Sequence, residues 1–131
     1  MNMTNNEVIR YCRDLGWIVE EQTEYPNQPT GIYRFAWPSG PRSFAYDYSA
    51  YIDTNRERFA DAVVRLATDY IREDDRLRAS GGYETLDRIT REASERVRHA
   101  MDNLLMTMRI QERLRNAPGI QFTMRVQEEV E

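Results

Sequence analysis

Between Leu86 and Ala117 a single helical pattern runs without interruption, and Pro118-Gly119 ends it. Leu86, Ile89, Ala93, Val97, Ala100, Leu104 and Met108 form its main apolar stripe. Read as one helix, it is about 48 Å long at 1.5 Å per residue. A compact globule of 131 residues has a radius of gyration of only about 14 Å. The helix must therefore overhang its own domain, break, or pack against another chain, and the rest of the sequence has to be arranged around it.

That remainder consists of short elements. Thr4 to Glu7 reads T-x-x-E, a capping box, and Val8, Cys12 and Leu15 then share one helical face. Gly16 is a cheap left-handed stop, with Trp17 folding back as the apolar residue beyond it. From Trp17 the period changes to two: Trp17 and Val19 lie on one side, Glu20 and Gln22 on the other, until Tyr25-Pro26 interrupts a first strand. A second strand is predicted over 31–37, with Tyr33, Phe35 and Trp37 on one face. Pro38 to Arg42 then makes a tight connection, and a third strand from Ser43 places Phe44, Tyr46 and Tyr48 against the first aromatic triplet. A second T-x-x-E box, Thr54 to Glu57, opens a helix with Phe59, Val63, Leu66 and Tyr70 on one edge. The polar stretch from Arg72 to Arg78 and the following Ala79-Ser80-Gly81-Gly82 end it as a flexible joint. After the long helix, Ile120, Phe122, Met124 and Val126 alternate with polar residues as a fourth strand, followed by the acidic Glu128, Glu129 and Glu131. The expected fold is one α+β domain of order αβββααβ, an antiparallel three-stranded meander plus a C-terminal strand packed on two long helices.

Composition excludes several chemistries. All 18 basic residues are arginine. Without lysine there is no phosphate loop of the Walker type and no Schiff-base catalysis. A lone Cys12 and a lone His99 offer neither a disulfide nor a zinc cluster. No run of about 20 apolar residues is present to cross a bilayer, and the polar start MNMTNNE does not read as a signal peptide. A cytoplasmic protein that is not an enzyme, with no catalytic residue, cofactor or metal, is the expectation.

The charged groups allow two kinds of partner. Arg88, Arg91, Arg98, Arg109 and Arg113 share one sector of the long helix and could face phosphates, as in an Arg-using nucleic-acid-binding regulator. Glu95 and Asp102 fall in the same sector and can pair with Arg91 and Arg98 at i,i+4, the pattern of a solvated face. The net charge of −4 leans away from nucleic acid. Two acidic groups, Glu20, Glu21 and Glu24 on the first strand and Asp69, Glu73, Asp74 and Asp75 at the end of the second helix, could dock on a protein instead. Met101, Leu105 and Met106 bring apolar residues round the helix away from its main stripe, which suits a protein partner or a homodimer.

A helix, a three-strand meander and a further helix also occur in the double-stranded-RNA-binding domain, but the lysine cluster that opens its last helix is replaced here by Asn55-Arg56-Glu57-Arg58. Over residues 4–78 the same order resembles small phage-encoded anti-CRISPR inhibitors of Cas9, with the helix Thr4 to Leu15 in the N-terminal place. The resemblance is one of architecture and implies a protein from a phage or mobile element that docks an acidic surface on a nucleic-acid-handling protein.

Overall fold

The computed structural model describes residues 3–37 and 48–116. Its elements are α1 (Asn5–Asp14), β1 (Ile18–Glu24), β2 (Gln28–Ala36), β3 (Ser49–Asp53), α2 (Phe59–Ala79), a 3₁₀ turn (Gly82–Thr85) and α3 (Arg88–Arg115). The class is α+β with a three-stranded antiparallel sheet of order β1-β2-β3. The fourth strand expected over 120–126 lies outside the described residues.

α1 forms as its local chemistry dictates. Thr4 Oγ1 accepts the Glu7 N–H at 3.2 Å, and Glu7 Oε1 accepts the Thr4 N–H at 2.9 Å, so two donors with no helical partner are satisfied reciprocally. The second of these bonds is the main reason the Glu7 carboxyl is held below the usual carboxylate range. At the other end Gly16 has φ +97°, and the Gly16 and Trp17 N–H groups donate to the carbonyls of Arg13 and Cys12, each at 3.0 Å. That pair of bonds turns the chain back and drives Trp17 into the core.

In the sheet, Val19 pairs with Phe35 and Glu20 with Arg34, and a bulge follows between Glu21 and Thr23. On the other side of β2, Tyr33 faces Ile52 and Phe35 faces Ala50. This corrects the expected meeting of two aromatic triplets: the strand opposite Tyr33 and Phe35 is Ser49–Asp53. Phe44 and Tyr46 lie outside the described residues, as does the tight connection at 38–42. Tyr48, just before β3, packs edge-on against Tyr70 and Trp17 at centroid distances of 5.2 and 6.4 Å. Phe35, Ile52 and Val19 bring the buried face of the sheet to the helices.

The second T-x-x-E sequence is not a cap. Thr54 Oγ1 donates to the Gly31 carbonyl at 2.7 Å, and Glu57 pairs with Arg65. Gly31 allows that close approach, since a Cβ there would lie 2.8 Å from Asn55 Nδ2, and its φ of +77° is one glycine adopts freely. α2 instead begins at Phe59 with no cap bond from its own N-cap side chain. The Phe59 N–H is satisfied from α1, by Asn5 Oδ1 at 2.9 Å. Asn5→Ala should therefore cost about 1 kcal/mol, the usual worth of such a cap. Urea denaturation checks this, and a variant as stable as the parent would mean that water replaces Asn5 without loss.

α2 runs through the polar stretch that was expected to end it, because Arg78 and Asp74 have partners on α3. The joint beyond is tied down. Tyr83 donates to Glu95 Oε1 at 2.7 Å and lies under the Arg78 guanidinium, 4.0 Å from its ring centre. The Tyr83 hydroxyl and Arg78 together keep the Glu95 carboxyl below its ordinary range. α3 then starts on Asp87, whose carboxylate accepts the Thr90 N–H at 2.7 Å.

The 28 residues of α3 stay on their own domain. Arg98 binds Asp74 of α2 at 2.7 Å, and Arg115 reaches Glu7 of α1 at 3.1 Å, which holds the far end of the helix. Ala93, Val97, Leu104 and Met108 are buried as expected, but Ile89, the second residue of the helix, is 57% exposed. Met101 is fully buried and Leu105 only 9% exposed, so neither is available as the surface contact the sequence suggested. Both belong to the single core cluster that α1, the sheet and α2 share with α3, which widens the helix's buried face. Of the three residues only Met106, at 56%, faces outward.

Candidate protein-docking groove

Around Met106 the described residues enclose a groove of about 790 Å³. One wall comes from the end of α1 and the ends of two strands: Leu15, Trp17 and Trp37. α3 supplies the other, with Ala100, Leu104 and Met106 along the floor and Arg96, His99, Asp102 and Asn103 around them. Trp17 is placed there by the glycine cap of α1. It stacks on Phe35 with centroids 4.5 Å apart and meets Trp37 edge-on at 5.4 Å. The chain's two tryptophans thus form one block, seated on the core and fronting the groove.

The rim charges are unequal. Asp102 is engaged by Arg98 Nε at 3.1 Å. Arg96 makes no ion pair among the described residues and is exposed, as is His99. The rim consequently offers cationic and donor groups beside an apolar floor, and this suits an apolar segment carrying carboxylates.

The acidic groups singled out in the sequence are mostly neutralised. Glu20 pairs with Arg34 at 3.3 Å, and Glu73 with Arg76 at 2.9 Å. Glu21 accepts the Gly31 N–H at 3.1 Å. Asp75 binds Arg98 at 2.8 Å. Asp74 is 6% exposed and sits between Arg78 and Arg98, so it belongs to the α2–α3 contact and leaves the accessible surface. Glu24 and Asp69 are exposed.

The arginine sector is likewise divided. Arg98 is committed to three carboxylates and Arg88 to Glu92, while Arg91 is half-buried. Arg109 and Arg113 are exposed further along. The five do not form one free phosphate-facing ladder.

Arg96 and Trp37 were not identified as site residues from sequence, although a signal was present. Arg96, His99, Asn103 and Met106 recur at helical spacing as a second stripe beside the main one.

Cys12 stands apart from the groove. It is fully buried, and burial pushes its thiol up to about 12. A thiol reagent should label it slowly in the native protein and rapidly in denaturant, because the thiolate is the reactive form. Equal rates, measured by mass spectrometry, would contradict this packing.

Among the described residues no group of three or more His, Cys, Asp and Glu side chains is placed to hold a metal ion. No helix among them is long and apolar enough to cross a membrane. No protein family, curated protein or solved structure was found to match the chain.

Proposed function

We propose that this chain is a non-enzymatic binding protein, a regulator that takes a segment of a protein partner into the groove on α3. The supporting observation is the convergence of Trp17, Trp37 and exposed Met106 on one cavity of about 790 Å³. Trp17 is buried and backs the groove, while half-buried Trp37 and exposed Met106 present the apolar area, and tryptophan and methionine are side chains enriched at protein interfaces. Arg96 on the rim adds a preference for acidic groups flanking the apolar ones. The bound segment is thus an extended or helical peptide with spaced apolar residues and nearby carboxylates. Docking through the acidic surface has weaker support, because Glu20, Glu73 and Asp75 already have arginine partners and Asp74 is buried. Nucleic-acid binding has weaker support for the same reason, applied to Arg98 and Arg88.

A displayed peptide library selected in parallel on the parent chain and on Met106→Arg tests the reading. Met106 is exposed, so the substitution leaves the core intact. Enrichment of acidic, apolar peptides on the parent, lost on the variant and accompanied by a change in tryptophan fluorescence, is expected. Equal enrichment on both proteins would place binding elsewhere.

A further inference from the structure

We infer that the groove has an occupant within the same chain, the segment 120–131, which a partner has to displace. The inference concerns the isolated chain and uses the same groove as the docking reading. Three observations carry it, and the first is reach. α3 ends at Arg115, beside α1, and the groove lies back along α3 from there, between Met106 and Arg96. At 1.5 Å per helical residue these two positions are about 14 Å and 28 Å behind the helix end. Pro118-Gly119 is a turn-forming pair suited to reversing the chain. A strand leaving that turn at Ile120 advances about 3.3 Å per residue, so Met124 comes level with Met106 and Glu128 and Glu129 with Arg96.

The second observation is pattern. Ile120, Phe122, Met124 and Val126 alternate with polar residues, so an extended segment lays all four on one side, and the groove floor they would meet is apolar. The third is charge. The acidic run Glu128, Glu129 and Glu131 follows the apolar positions directly, and Arg96, the rim cation with no ion pair among the described residues, lies where that run arrives.

The test is photocrosslinking of the full-length chain. A benzophenone amino acid is introduced at Met106 and, in a separate protein, at His99; both positions are exposed, and circular dichroism confirms each fold. Each is irradiated as a mixture of isotopically light and heavy protein, and the crosslinked peptides are identified by mass spectrometry. The inference expects crosslinks to residues 120–131 that join light to light and heavy to heavy, from both positions. It also expects the triple variant Glu128→Arg, Glu129→Arg, Glu131→Arg to lower their yield several-fold. Light-to-heavy crosslinks would put a second copy in the groove, and crosslinks to 38–47, or none to 120–131, would put the segment elsewhere; each overturns the inference. Failure of the peptide selection above, with these crosslinks present, would instead remove the docking reading and leave an intramolecular contact.

Discussion

Replacing Phe35 by alanine should remove about 4 kcal/mol of stability, a large share of the roughly 5–15 kcal/mol that holds a domain of this size together. Phe35 is fully buried in the central strand. Its ring stacks on Trp17 at an interplanar angle of 14° and meets the Phe59 edge at 6.4 Å. Removing it therefore opens a cavity between the sheet, α2 and the tryptophan that fronts the groove. The neighbours cannot readily close that gap: Val19 and Ala50, its partners across the two ladders, are small and fixed by backbone pairing. Urea denaturation followed by tryptophan fluorescence measures the loss. Tyr51→Ala, on the exposed side of β3, serves as the control and should change stability by less than about 0.5 kcal/mol. A Phe35→Ala loss below about 1.5 kcal/mol would mean that the Trp17–Phe35–Phe59 stack is not the centre of this core.

How far the sequence revealed the fold depended on whether each signal was local. The ends of α1 were legible because the capping box and the Gly16 turn close within a few residues of one another, and the Glu7 carboxylate keeps its bond to the Thr4 N–H even where Arg115 joins it. The same letters at Thr54 to Glu57 misled. There the threonine hydroxyl is taken by Gly31 on a neighbouring strand, and Asn5, more than 50 residues away in sequence, caps α2 instead. The pairing of β2 with Ser49–Asp53 escaped notice for a related reason. Alternating aromatic residues show that a strand has two faces, but they do not say which residue of the next strand lies opposite.

The groove was only partly visible. Met106 was identified because it departs from the apolar stripe, but the same argument applied to Met101 and Leu105, which are buried in the common core. Helical periodicity measures an angle around one helix and contains no information on how many neighbours surround it. Trp17 was read as the residue that folds back over α1, and Trp37 as one of an aromatic row. Both readings were locally sound. Their meeting at 5.4 Å depends on the path of β1 against β2, a tertiary fact that no short window of sequence contains.

Asp74→Ala should cost about 3 kcal/mol, even though the residue lies in what reads as a solvated run of charge. The carboxylate is 6% exposed and receives the Arg78 Nε at 2.8 Å and the Arg98 NH1 at 2.7 Å. The Asp74 bond, with Glu95 next, raises Arg78 above the ordinary arginine value, whereas for Arg98 burial works the other way and is outweighed by Asp75, Asp74 and Asp102 together. Removing Asp74 leaves two arginine charges facing each other across the α2–α3 contact with too few acceptors. A partly buried charge without its partner is costly, whereas the intact pair gains little over an apolar replacement. The low end of the usual range for a broken buried pair is expected because both arginines keep some contact with water and retain other carboxylates. Relief should follow when the stranded cation is also removed. The double variant Asp74→Ala with Arg98→Ala should be more stable than the sum of the two single losses by at least about 1 kcal/mol, as residues in one network usually are. Additive losses in thermal and urea denaturation would show that Asp74 acts through its packing alone, and the tie between α2 and α3 would then have to come from Tyr83 and the apolar contacts beneath it.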